Sequence, residues 1–454
     1  MTNQQETAER GPHWEFGEKD EIEFVVWFIK LRDRANKEEF YFMVTFASKL
    51  SFGIQPADWQ ERINLARMRE QRAEKARQVM RKHGIAALLA SRGENVRYLT
   101  GLRGPEFLPQ LYYVLFFAED DPVAFAGPGW ITQIPPQAPW IKHWRMARSW
   151  LTGIAGHEAT LEESRKFASE IYEDLRERGL TKEKLAVAGF DGTAQRALGE
   201  LGLTLTDGWP LMLEARTTKT EDEINCLKTV AAICEAAWYR VWESLRVGIR
   251  DTDLSLIIAN ALHEAGADRP TAVQARSGPL CFERGPSATG RLIQTGDLVY
   301  ATMCHVPFLS YHSCTYRTFI VGRKPNAREK DWYKVMLERM DAIIDAIKPG
   351  ATTADAAKHF APASTWGYKD EHAVLTIEIG HGIGIGGYDM PVINRQWSLD
   401  HPQVFEPGMT IAVESREGEH GAGGVRLENM LVVTEKGAEI MDYFPRDEIL
   451  MAPY

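Results

Sequence analysis

The chain has too few cysteines, in the wrong arrangement, for a disulfide framework. Its five (Cys226, Cys234, Cys281, Cys304 and Cys314) are odd in number and include no Cys-x-x-Cys pair. That excludes a stapled secreted scaffold and a dithiol redox centre, and reads as free thiols in a reducing compartment. Long apolar runs are also missing. The most apolar early stretches, Val25 to Ile29 and Phe40 to Phe46, are interrupted by Lys30, Arg32, Arg34 and Lys37, far short of the ~20 residues that span a bilayer. No membrane partner is expected. The first ten residues, Met-Thr-Asn-Gln-Gln-Glu-Thr-Ala-Glu-Arg, lack the basic-then-apolar order of a secretory leader, which predicts a cytoplasmic location. Positive charge is in deficit: 53 Lys and Arg against 63 Asp and Glu leave a net charge of −10, so nucleic acid is set aside as a partner. One absence is local. From Leu298 to Phe319 there is no acidic residue, although hard divalent cations take carboxylate oxygens and a thiol or hydroxyl is a different kind of ligand.

At 454 residues the chain is too long for one ordinary core. Three regions are predicted: an N-terminal extension over 1–58, rich in aromatics and charge and expected to form amphipathic helices; an α/β domain over 59–213; and an α+β domain over 214–454. The middle region alternates a helix near Trp59 to Lys82 with short apolar strands at Ile85 to Ala90, Tyr112 to Ala118, Val123 to Ala126 and Lys184 to Gly189. The last region opens on Thr220-Glu-Asp-Glu223, a capping box for a long helix running to about Val247. Two further helices are expected, near Asp253 to Ala265 and Ala327 to Ile347, with strands at Asp297 to Cys304, Tyr316 to Val321, Met409 to Ser415 and Glu428 to Thr434. There is no internal repeat and no low-complexity tract.

Strand alternation selects the residues that can meet. Tyr300, Thr302 and Cys304 share one face of their strand, and His312, Cys314 and Tyr316 share a face of the returning one. An isolated Cys in a strand is usually a small buried hydrophobe, so these carry weight only through their neighbours. His381 sits in Gly-His-Gly-Ile-Gly-Ile-Gly-Gly, where glycines let the backbone approach closely. Glu414 follows Thr-Ile-Ala-Val and Glu428 precedes Asn-Met-Leu-Val-Val, and a carboxylate in an apolar strand is costly unless paired or ligated. One imidazole and two carboxylates suffice for acid–base work or for three metal ligands.

Together these segments resemble the pita-bread family of creatinase, prolidase, aminopeptidase P and methionine aminopeptidase. The resemblance rests on Asn95-Val-Arg-Tyr-Leu-Thr-Gly101, Arg216-Thr-Thr-Lys-Thr-Glu-Asp-Glu-Ile224, Gly296-Asp-Leu-Val, Arg317-Thr-Phe, Gly380-His-Gly-Ile-Gly, Glu406-Pro-Gly-Met409 and Glu428 before Val-Thr-Glu-Lys-Gly437. It implies an α/β N-terminal domain, a pita-bread C-terminal domain and a homodimer. The peptidases of the family use two aspartates, a histidine and two glutamates; His381, Glu414 and Glu428 match the last three, while the aspartate positions fall at Thr302 or Met303 and at Cys314. The peptidase histidines near Phe282-Glu283-Arg284-Gly285 and Tyr388-Asp389-Met390-Pro391 also have no counterpart.

The expected function is therefore hydrolysis of a non-peptide C–N bond in a small guanidine- or amidine-type compound. His381, Glu414, Glu428, Cys304 and Cys314 are the predicted catalytic residues. Thr302, His312, Phe282, Glu283, Arg284 and Tyr388 are the predicted substrate contacts. No metal or other cofactor is expected; the alternative is one zinc or iron ion on Cys314, His381, Glu414 and Glu428, serving a hydrolase or a lyase like the dimethylsulfoniopropionate lyase of this fold. A catalytically inactive binding protein is the third reading.

Overall fold

The computed structural model describes residues 24–32, 39–47, 59–104, 109–269, 272–283 and 289–452. Two compact units are present, Met1–Gly53 and Ile54–Tyr454. In the first, Phe24–Arg32 pairs antiparallel with Glu39–Ala47, Phe24 opposite Ala47 and Arg32 opposite Glu39. The expectation of amphipathic helices is corrected here: both segments are dense in Val, Phe, Tyr and Trp, side chains that fit a pleated surface better than a helix.

The second unit holds two sheets. A six-stranded sheet runs in the order His143–Met146, Val123–Ala126, Tyr112–Phe117, Ala87–Ala90, Lys184–Ala188, Thr204–Asp207. The four central strands are short, almost wholly apolar and buried, and the helices Leu65–Lys82 and His157–Glu177 cap cores to which these strands contribute. The chain leaves through the helix Trp209–Thr217 and turns at Thr220. The predicted capping box forms there: Thr220 Oγ1 accepts from the Glu223 amide at 3.4 Å and Glu223 accepts from the Thr220 amide at 2.8 Å, opening the helix Glu221–Ser244.

The nine-stranded sheet positions the candidate site. Its main path is Asp389–Ile393, Ile379–Gly382, Thr410–Glu419, Gly423–Thr434, Tyr316–Val321, Leu298–Cys304, Ala272–Ser277. One face packs on the helix Ala327–Ala346 in a cluster that includes Met336, Met340, Ile343, Ile411, Val413, Leu427 and Leu431. The opposite face carries the polar residues of alternate positions. Among the described residues no helix is long and apolar enough to cross a membrane.

Candidate functional site

Register assembles the site. Ile379, Glu414, Glu428, Tyr316, Thr302 and Gln274 lie opposite one another across six strands, and directly opposed residues of antiparallel strands share a face. The neighbouring row on that face holds His381 opposite Ala412, and Cys304 at its strand's end. Cys304, Cys314 and Glu428 offer ligand atoms that all lie within 4.8 Å of one another, and all three are buried. The Cys304 thiol donates to Glu428 Oε2 at 3.4 Å. His381 Nε2 stands 3.8 Å from Glu428 Oε1, an oxygen that is buried and makes no hydrogen bond.

The orientation of His381 follows from one contact. Its Nδ1 lies 3.1 Å from the Gly382 carbonyl. A carbonyl only accepts, so Nδ1 carries the hydrogen and Nε2 faces Glu428. Glycine is required next door: a Cβ at Gly382 would stand 2.2 Å from the Met390 carbonyl oxygen. Electrostatics keep protons in the cluster. Burial, then Cys304 and Glu414, push the Glu428 carboxyl well above its usual range. Burial and the Cys304 and Glu428 groups push the Cys314 thiol well above its own. That opposes a free Cys314 thiolate, which as a nucleophile needs the reverse shift.

The predicted residues divide into two groups. Cys304, Cys314, His381, Glu414 and Glu428 converge, with Thr302 two strands from Glu428 along its row, beyond Tyr316, and its hydroxyl accepting from the Gln274 amide at 3.1 Å. Tyr388 covers them from outside, its ring 4.1 Å from that of His381 and 46% exposed. His312 and Cys314, expected on one strand, fall on separate segments. The returning segment is not one strand: Tyr311–His312 pairs with Pro307–Phe308, and Tyr316–Val321 begins four residues later. Leu309 and Ser310, both in left-handed backbone, make the turn between Phe308 and Tyr311, and the rings of His312 and His305 stand 6.0 Å apart. Phe282 and Glu283 lie at the other end of the face, against Arg416 and His420. Arg284 lies outside the described residues.

Sequence reasoning passed over three features. His305 bridges Tyr388 and His312 by ring contacts. Arg317 and Asp442, both about fully buried, form an ion pair at 2.6 Å beneath Glu428, whose carbonyl accepts from Arg317 at 2.8 Å. Arg416 and Arg426 face each other one row beyond the two glutamates. The Arg-x-Glu spacing of Arg426 and Glu428 was the available signal, since alternate strand residues share a face.

Comparison with known proteins fits this geometry. Residues 225–435 match Metallopeptidase family M24 and residues 72–129 match the Creatinase/Prolidase N-terminal domain. Curated relatives include a probable dipeptidase PepE of Mycobacterium tuberculosis, 29% identical over 56% of this chain and 65% of the relative. A creatinase of a Bacillus species is 27% identical over 53% and 61%. The dimethylsulfoniopropionate lyase DddP of Roseobacter denitrificans is 26% identical over 63% and 65%. The chain thus spans just under two thirds of the length of these relatives. An Xaa-Pro dipeptidase from Bacillus anthracis superposes with a TM-score of 0.67 at 23% identity, covering 86% of this chain and all of that one. The expectation of a site without metal is corrected by the family match, which is to a family of metallopeptidases. The residues present fit one ion: two thiols and a carboxylate within 4.8 Å, beside an imidazole, are a donor set for zinc or iron. By its two matching domains, its order of motifs and its fold, the chain belongs to the pita-bread family, with a creatinase-type N-terminal domain ahead of the M24 domain.

Proposed function

We propose that the protein is a hydrolase of a C–N bond in a small polar compound, working with one zinc or iron ion held by Cys304, Cys314 and Glu428 beside His381. The convergence of those three ligand atoms within 4.8 Å carries the reading. A bound ion there would supply Lewis-acid polarisation and acidify a water. The protein's own groups handle protons. His381, with Nδ1 committed to Gly382, turns Nε2 toward the cluster 3.8 Å from Glu428 and is the group that carries a proton to the leaving nitrogen. Glu414, opposite Glu428 in register, lies on the same face as a second carboxyl that accepts from an amidine or amine. Tyr388 closes the imidazole against solvent.

The favoured substrate is a guanidine- or amidine-type compound, because the resemblance puts Thr302 or Met303, and Cys314, where the peptidases of the family carry aspartates, and Leu298 to Phe319 holds no acidic residue. A second reading, cleavage of a dipeptide, draws on the 29% identity to PepE. Metal analysis of the purified protein by plasma mass spectrometry, paired with hydrolysis of guanidino acids and of Xaa-Pro dipeptides, tests both. About one equivalent of zinc or iron, lost in Cys314→Ser together with turnover, is expected from a mononuclear site with three protein donors. Full turnover in Cys314→Ser refutes the proposal, and cleavage of dipeptides alone moves it to the second reading.

A further inference from the structure

We infer that Cys304 and Cys314 form a reversible cross-strand disulfide, a modification site at which a peroxide switches the centre off. The cross-link is read from backbone register alone. Its effect on turnover rests on the proposed ion site, whose two sulfur donors it removes.

The register is fixed on both sides of the pair. Thr302 lies opposite Tyr316, the Met303 amide donates to the Thr315 carbonyl at 2.9 Å, and the His305 amide donates to the Ser313 carbonyl at 2.8 Å. Cys304 and Cys314 therefore oppose each other between two backbone-bonded pairs, at a position that exchanges no backbone hydrogen bond. Residues opposed in that way have Cα atoms about 4.5 Å apart, inside the roughly 4.4 to 6.8 Å that a disulfide spans, and side chains on one face. The sulfurs agree with the backbone: each lies within 4.8 Å of the other and of Glu428, and Cys314 is hydrogen-bonded to Cys304. The Cα spacing is at the short end of the range. Bonds closed there carry strain and are the readily reduced kind, as a switch requires. No Cys-x-x-Cys motif announces the pair, because the hairpin and not the local chain brings it together.

The other thiols are committed elsewhere. Cys281 donates to the Leu298 and Arg276 carbonyls at 2.8 and 3.1 Å, Cys234 donates to the Ser313 hydroxyl at 3.3 Å, and Cys226 lies two turns before Cys234 in the helix Glu221–Ser244. Of the opposed pair Cys304 is the more exposed, 7% against 3% for Cys314, so it meets the oxidant first. Hydrogen peroxide converts the Cys304 thiol to a sulfenic acid and releases one water. The Cys314 sulfur then attacks the sulfenyl sulfur, the S–O bond breaks, and the hydroxyl leaves with the Cys314 hydrogen as a second water. Two thiols lose two hydrogens and two electrons in all, and one peroxide gains them. The second step joins groups already in contact, so it needs no encounter. A metal ligand is a thiolate, and a disulfide has none to offer. The ion would keep Glu428 alone of its three donors and leave.

Full-length protein treated with hydrogen peroxide, with and without added zinc, then alkylated in denaturant and digested without reductant, tests the inference by peptide mass. The expected product is one cross-linked pair, Cys304 with Cys314, abolished by dithiothreitol and formed equally in Cys234→Ser. Zinc at about ten times its dissociation constant leaves roughly one molecule in eleven free, so it should slow the cross-link about tenfold, and oxidation of the zinc-loaded protein should release the ion in step with the disulfide. Should Cys234→Ser fail to fold, the wild-type map decides alone. Oxidation that runs to sulfinic acid at either residue without a cross-link, a cross-link to Cys234 in its place, or two thiols still alkylated in full would overturn the inference. A Cys304–Cys314 cross-link that zinc does not slow, in a protein that holds neither zinc nor iron, would sink the ion reading and leave the modification site standing. One bound ion with turnover and no cross-link would do the reverse.

Discussion

Glu378 should make the folded protein lose stability as pH rises from about 4.5 to about 7. Its carboxyl is buried at the base of the strand that carries His381, and burial pushes it up to about 7, against the weaker opposing pull of Arg339 and the donors at Arg416 and Ser415. Arg339 stays 3.8 Å away and holds Glu417 at 2.7 Å instead, so it does not neutralise Glu378. The sign follows from proton counting. In that window the folded state keeps the proton while the unfolded chain, near the ordinary value of 4.5, has released it, so the unfolding free energy falls with pH. The contribution is fully present below about 4.5 and lost as pH passes 7. A shift of about 2.5 units at ~1.4 kcal/mol each gives about 3 kcal/mol. Urea unfolding of wild type and Glu378→Gln at half-unit steps from pH 4.5 to 8 isolates it, because the difference between the two curves cancels every other titrating group. Glutamine keeps an acceptor for Ser415 and the Arg416 amide without titrating. A difference curve that is flat, or that rises with pH, refutes the argument.

Two more outcomes follow from buried charge. Asp442→Ala should cost about 3–5 kcal/mol, the usual loss when one member of a buried pair is removed, since Arg317 would keep only carbonyl partners and the Asn429 side chain and Met430 amide would lose their acceptor; urea midpoints check it, and a loss below about 1 kcal/mol contradicts the bracing role. Lys219, pulled down to about 8 by burial despite Asp389 and Glu223, should make stability rise between about pH 8 and 10.5, where the unfolded chain holds a proton that the folded one has released; Lys219→Met should abolish that rise in the same assay.

What the sequence disclosed and what it hid separate along physical lines. Glu414, Glu428 and His381 were legible because a charge inside an apolar strand is conspicuous and because period-2 alternation places it. The Thr220–Glu223 cap was legible because its partners are three residues apart. The N-terminal strands were missed where aromatic and β-branched density was outvoted by interspersed charge. The break of the returning hairpin into Tyr311–His312 and Tyr316–Val321 was not legible, because the turn at Leu309 and Ser310 takes left-handed backbone without glycine. The arginine row was hidden because its aromatic walls come from far along the chain: Phe282 is 134 residues from Arg416, and no local pattern announces such a contact.

The two polar rows set a length as well as a charge pattern. Residues two apart in a strand are separated by about 6.6 Å, so the guanidinium row of Arg416 and Arg426 and the carboxyl pair of Glu414 and Glu428 are set about that far apart on one face. The row spacing comes from β geometry and does not change between relatives of one fold. Against that fixed spacing stand the two thiols that Cys304 and Cys314 place beside Glu428 and the linked rings of His312, His305, Tyr388 and His381.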